Sequence, residues 1–145
     1  MNNADFIANC VVGKYNGSKA YGNLWFDGKH VYSYGEHYPL LVSVGDSWIV
    51  NISGYSNTTS KHIGIANRHA DYRMELGREV TLPELQTRAT ANLREYRDAL
   101  NSLSTRAWKQ REIITEKIGV AMRVKGFLDR MVHAEQGAKI EELTF

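Results

Sequence analysis

Arginines are the side chains in this sequence best suited to chemistry. Arg88 and Asn92 stand four residues apart in a segment of helical periodicity, a spacing that puts both on one side of a helix with Glu95 and Ala99. Arg106, Lys109 and Arg111, with Lys117 beyond them, form a basic run beside Trp108 where a second helical pattern begins. Guanidinium forks grip phosphate through two parallel hydrogen bonds, an amide reads a base edge, and the free N–H groups at a helix start attract anions. These residues point to phosphate binding. The competing reading makes them solvated helix faces paired with Glu95, Asp98, Glu112 and Glu116.

Other chemistries find less support. The five histidines, at 30, 37, 62, 69 and 133, show no HxH or HExxH spacing, and His62 with His69 gives only two ligands where a metal needs three or four. Cys10 is the only cysteine, which excludes an internal disulfide and a Cys-based zinc site; among valines it reads as a small packed hydrophobe with a raised pKa. GxSxG, GxGxxG and Walker patterns are absent. The expectation is a binding protein without enzyme activity, metal or cofactor.

The elements that must position these residues fall in two textures. Residues 6–15, FIANCVVGKY, read as a strand followed by the Asn16-Gly17 turn; residues 21–26 and 29–34 flank Asp27-Gly28, a strong hairpin signal. Alternation in HVYSY sends Val31 and Ser33 to one face and His30, Tyr32 and Tyr34 to the other. Residues 40–44 and 47–52 flank a second turn at Gly45-Asp46. Trp25, Phe26, Tyr32, Tyr34, Trp48 and Tyr55 mostly supply the sheet side of a core, while a ring left exposed, with Trp25 the candidate, can stack on a base.

From Thr58 to Val80 a mixed connector follows, interrupted near Gly64. Then Thr81-Leu82-Pro83-Glu84 supplies an N-cap, a first-turn proline and a capping-box glutamate. Leu82, Leu85, Ala89, Leu93, Tyr96, Leu100 and Leu103 make one apolar stripe, and Trp108, Ile114, Ile118, Ala121, Val124 and Leu128 make a second. Gly126 and Gly137 are expected to break or end the second helix. The predicted fold is α+β: an N-terminal antiparallel sheet of four to six short strands packed with two long C-terminal helices. It is a single domain over 1–145, with a β-rich part (1–57), a connector (58–80), a helical hairpin (81–134) and a tail (135–145).

Composition agrees with a folded chain: 145 residues, 43% hydrophobic and 23% charged, with two prolines. The longest apolar runs are far below the roughly 20 residues of a membrane span, and MNNADF lacks the basic-then-apolar order of a signal peptide, so a soluble intracellular protein with no membrane partner is expected. Net charge is only +2, but all ten arginines follow residue 67.

GNLWFDGKHVYSYGEHYPL, followed after a hairpin by TTSKH, resembles a pattern of small bacteriophage proteins: a Tyr-Ser-Tyr-Gly strand end, a His-Tyr/Phe-Pro-Leu turn and a Thr-Thr-Ser-Lys/Arg-His opening to the next segment. About 45 residues carry it. With its length, strands-first order and paired helices, the chain resembles the first-described class of phage anti-Thoeris sponge proteins, which hold cyclic ADP-ribose-type immune signals without degrading them; some also hold cyclic oligonucleotides. The resemblance implies a homo-oligomer (dimer or hexamer) in the cytoplasm of the infected host. Its ligand would lie between protomers, with a ring on the adenine and helical arginines on the phosphates. Mapped onto this chain, that set is Trp25, Arg88, Asn92, Arg106, Lys109 and Arg111, while the helix-start position where an aromatic ring is expected holds Leu82. Two rivals stand beside it: a nucleic-acid-binding phage protein, against which the small net charge argues, and an inhibitor that contacts a host defence protein directly, as anti-CRISPR proteins do.

Overall fold

The computed structural model describes residues 1–35, 38–54 and 57–144. His37 and Tyr55 lie outside them. The chain forms two compact units, Met1–Val80 and Thr81–Phe145. Together they make an α+β chain, a six-stranded sheet first and long helices last.

The first unit opens with a helix where a strand was expected. α1 spans Asn3–Val11, started by a reciprocal cap: Asn2 Oδ1 accepts from the Asp5 amide at 2.8 Å, and Asp5 Oδ2 accepts from the Asn2 amide at 3.2 Å. Phe6, Ile7 and Cys10 are then buried at helical spacing. A short apolar, β-branched run does not distinguish the two states, and here the cap decides.

Six strands follow: β1 (Lys19–Tyr21), β2 (Leu24–Phe26), β3 (Val31–Ser33), β4 (Tyr38–Val44), β5 (Ser47–Asn51) and β6 (Tyr72–Met74), hydrogen-bonded in chain order. The first five pair antiparallel; the β2–β3 and β4–β5 hairpins turn where the sequence predicted, at Asp27-Gly28 and Gly45-Asp46, whereas residues 21–26, expected as one strand, are broken by a turn at Gly22-Asn23. β6 corrects the antiparallel expectation, because it joins β5 in parallel and the sheet is mixed. A parallel pair requires a crossover. Helix α2 (Asn57–Ala66) supplies it, continuous through Gly64, followed by a 3-10 turn at Asn67–His69.

Where β3 meets β4 the register shifts: Val31 faces Leu41 but Tyr32 faces Pro39, leaving Leu40 as the extra residue of a bulge. The bulge tolerates the missing amide of Pro39, and both Leu40 and Leu41 join the core with Phe6, Ile7, Cys10, Leu24, Phe26, Val31 and Val50. Each such side chain contributes roughly 1.5–3 kcal/mol on burial.

The Tyr-Ser-Tyr-Gly and Thr-Thr-Ser-Lys-His segments meet around buried polar atoms, and Tyr38-Pro39 joins a second buried polar set at Asn51. Ser33, at the end of β3, places Oγ 2.8 Å from His62 Nδ1 and 3.4 Å from Thr59 Oγ1, both on α2, and His62 Nε2 lies 3.4 Å from Asn3 Nδ2 on α1. Ser33, Thr59 and His62 are nearly inaccessible, so each hydrogen bond replaces one that water no longer provides. After Ser33 the chain turns through Tyr34 (φ 57°) and Gly35 (φ 64°); glycine takes that conformation freely, whereas tyrosine is held in it at a cost of about 1–2 kcal/mol. Tyr38 donates to the carbonyls of Asn51 and Ser53, and burial pushes its pKa up to about 12. The Asn51 amide donates to Pro39 O at 2.9 Å, and its oxygen accepts from the amides of Ser53 and Leu76.

The second unit is a helical hairpin of α3 (Leu82–Ser102) and α4 (Trp108–Thr144). The cap at Thr81 and Glu84 forms as the sequence indicates, and Leu85, Ala89 and Leu93 are buried along the expected stripe. α4 runs unbroken through Gly126 and Gly137, so the segment expected as a tail is helical. Trp108 also departs from expectation: it is 62% exposed rather than part of the apolar stripe.

Burial lowers the pKa of His62 and, at 5% exposure, that of His30, whose Nδ1 accepts the Ser43 amide at 3.0 Å. For His30, nearby Asp27 partly offsets the effect and Lys29 adds to it; for His62, burial is the whole cause. Below the ordinary value of 6.5 the unfolded chain takes up protons that the folded chain refuses, so stability is full above that pH and declines as pH falls. Urea midpoints are therefore expected to fall between about pH 7.5 and about pH 5.5, and His62→Gln, though less stable at the higher pH, is expected to show a shallower decline. A His62→Gln profile as steep as that of the parent protein contradicts this assignment.

Candidate functional site

The second unit carries the formal charge. Residues 1–80 hold seven basic and seven acidic side chains, whereas 81–145 hold eleven basic and nine acidic. The sequence-predicted residues divide between the units: Trp25 belongs to the first, and Arg88, Asn92, Arg106, Lys109 and Arg111 to the second.

Trp25 sits on β2 beside its register partner Tyr32, ring centroids 5.5 Å apart, and is half-buried. Tyr32 in turn donates to Asp27 Oδ2 at 3.2 Å. Arg88 is half-buried and Asn92 only 4% exposed, and both are engaged in interactions within the protein. Asn92 lies ten residues before the end of α3. At 1.5 Å per residue that is about 15 Å from the hairpin turn that holds the other three.

Those three differ in what they do. Arg111 reaches back from the first turn of α4, and its Nη1 donates to Leu100 O and Leu103 O, both at 3.2 Å. These are carbonyls that the end of α3 cannot satisfy internally, so this guanidinium caps its neighbour. Arg106, in the turn, and Lys109 are exposed, and neither makes an ion pair among the described residues. Lys109 Nζ stands 5.5 Å from the centroid of the Trp108 ring. The result is two cations that make no ion pair among the described residues, one of them over the face of an exposed indole, within four residues and next to the Arg111 cap.

Further clasps fix the hairpin on which this corner is built. Lys117 Nζ lies 5.7 Å from the Tyr96 ring centre, a cation over an aromatic face. Gln86 Nε2 donates to Asp129 Oδ1 at 2.9 Å while Lys125 Nζ pairs with Asp129 Oδ2 at 2.7 Å. The Gln86 hydrogen bond, then that from Lys125, lowers the pKa of this carboxyl. A groove of about 300 Å³ on α3 is lined by Gln86, Thr87, Thr90, Ala91 and Arg94. Its two hydroxyls donate to Pro83 O and Gln86 O, so Arg94 is the one charged group it offers.

No three His, Cys, Asp or Glu side chains among the described residues are placed to hold a metal ion, and none of the described helices is long and apolar enough to cross a membrane. The close Ser–His pair found among the described residues, Ser33 with His62, is 0% and 2% exposed, out of reach of a substrate. Cys10 is buried too, its pKa pushed up to about 12 by that burial, which leaves little thiolate for nucleophilic attack. Sequence reasoning missed Trp108 as a surface residue because apolar spacing alone assigned it to the stripe. The signal available was its neighbourhood of Arg106, Lys109 and Gln110, which leaves no other apolar side chain beside it but Ala107.

No family model, curated protein or solved structure matches this chain.

The two roles of the basic residues separate by mutation. Arg111→Ala is expected to cost about 1–3 kcal/mol of stability, since it leaves two helix-end carbonyls without their donor. Arg106→Ala, exposed and with no ion pair among the described residues, is expected to shift stability by less than about 0.5 kcal/mol. Urea unfolding of both variants measures this; equal losses contradict the distinction.

Proposed function

We propose that this protein captures cyclic nucleotide immune signals, cyclic ADP-ribose isomers or cyclic oligonucleotides, and holds them without degrading them, as a phage anti-defence sponge. The observation that carries the reading is the hairpin corner, where Arg106 and Lys109, with no acidic partner among the described residues, stand beside an exposed ring. Charge-assisted hydrogen bonds from such groups suit a pyrophosphate, and a flat ring suits a base. The resemblance of the YSYG, HYPL and TTSKH pieces to phage sponge proteins supplies the biological setting.

A sponge needs affinity and no general base or nucleophile; the buried Ser33, His62 and Cys10 fit that demand. Arg88, half-buried on α3, completes the proposed contact set; Asn92, only 4% exposed, and Trp25, in the first unit, are not part of it. Arg88 lies fourteen residues before the end of α3, about 21 Å from the corner, so a second copy of the chain would bring one copy's corner to another's helix face around the ligand. A homo-oligomer acting in the host cytoplasm follows from the same reading. Nucleic-acid binding is the weaker alternative, because Glu95, Asp98, Glu112 and Glu116 interleave with the cations and break up any continuous basic stripe.

The test is to incubate the purified protein with a panel of cyclic ADP-ribose isomers and cyclic di- and trinucleotides, filter it, denature what is retained and chromatograph what is released. One member recovered intact is the expected result, with retention falling at least about tenfold in the Arg106→Ala, Lys109→Ala double variant. Recovery of a cleaved product, or of nothing, contradicts the proposal.

A further inference from the structure

We infer that Trp108 is the base-stacking platform of this site and gives it a preference for purine nucleotides. The inference rests on the ligand class proposed above and adds the residue that selects within it. Among the described residues Trp108 is the only aromatic side chain in the exposed class: Trp25, Trp48, Tyr15, Tyr21, Tyr34, Tyr72 and Tyr96 are half-buried, and the remaining rings are buried. An indole with 62% of its surface in water forgoes the burial that normally holds tryptophan inside a fold. It is also the largest π-face the protein can offer to a ligand.

Its surroundings specify the rest of that ligand. The ammonium of Lys109 lies 5.5 Å from the ring centre, and Arg106 is two residues away with no ion pair among the described residues. Arg111, the third cation of the run, is turned to the α3 carbonyls. A molecule with a flat ring next to a phosphate matches this arrangement: the ring stacks on the indole face that Lys109 leaves open, and the phosphate pairs with Lys109 and Arg106. An apolar protein surface would bury the indole but leave both cations desolvated and unpaired, which is costly. Stacking gains with ring area and tolerates any base, so purines are bound more tightly than pyrimidines without a strict code. Trp108 is the first residue of α4, anchored through the Arg111 cap, so the platform is held by helix rather than by a free loop.

The experiment uses the full chain in three forms: the parent, Trp108→Ala, and a Trp25→Phe, Trp48→Phe variant in which Trp108 is the only indole. Each is titrated by calorimetry and fluorescence with cyclic ADP-ribose, cyclic di-AMP and cyclic di-UMP. The expected result is binding of at least one adenine ligand by the parent and affinity reduced about tenfold or more in Trp108→Ala at unchanged thermal stability. Quenching of the single indole on binding, and weaker binding of cyclic di-UMP than of cyclic di-AMP, complete the expectation. If the parent binds an adenine ligand and Trp108→Ala binds it equally well, the stacking role is overturned while the sponge reading stands. Lost affinity without quenching of the single indole overturns it as well, since the ring then acts at a distance. A parent protein that binds none of the three overturns both.

Discussion

A buried hydroxyl must find a partner, and in the first unit that requirement organises the packing. Ser33 ends β3 on the covered side of the sheet, where water cannot reach it. Its partners are His62 and Thr59, three residues apart on one face of α2, and His62 passes the contact on to Asn3 of α1. The apolar contacts of Phe6, Ile7, Leu24 and Leu40 supply most of the burial energy but tolerate sliding. The polar set does not, because a helix shifted by one residue leaves a donor or an acceptor stranded at a cost of about 1–3 kcal/mol.

This gives a physical meaning to the sequence pattern that prompted a resemblance to phage sponges. Tyr-Ser-Tyr-Gly provides the buried hydroxyl and a glycine for a left-handed turn; Thr-Thr-Ser-Lys-His provides the hydroxyl and imidazole that answer it. Tyr-Pro-Leu sits beside the bulge, with Tyr38 and Pro39 bonded to the buried Asn51. These residues encode the fold of the first unit. The exposed cations and ring of the proposed site lie in the second, where Arg106, Trp108 and Lys109 face water.

Legibility followed the same division. Turns and caps with local chemistry were readable: Asp27-Gly28, Gly45-Asp46 and the Thr81–Glu84 box all form. α1 was not, because FIANCVV satisfies either period and the deciding cap, Asn2 with Asp5, lies upstream of the apolar run. The parallel placement of β6 was hidden because three strand residues carry no record of direction; a crossover through α2 sets it. Of the site residues, identity and chain position were legible but commitment was not. Arg106 and Arg111 look alike in sequence, yet one makes no ion pair among the described residues and the other holds two carbonyls, a difference created only when α4 folds back on α3.

The central claim is that polar residues of the sheet unit hold the fold while the hairpin corner meets the ligand. Amide and indole shift mapping by NMR during titration with cyclic ADP-ribose tests this directly. The account predicts that the largest shifts fall on the Trp108 indole N–H and the backbone amides of Arg106 and Lys109, with Ser33, Thr59 and His62 nearly still. Shifts centred on Ser33 and His62, or no shifts at all, would contradict it.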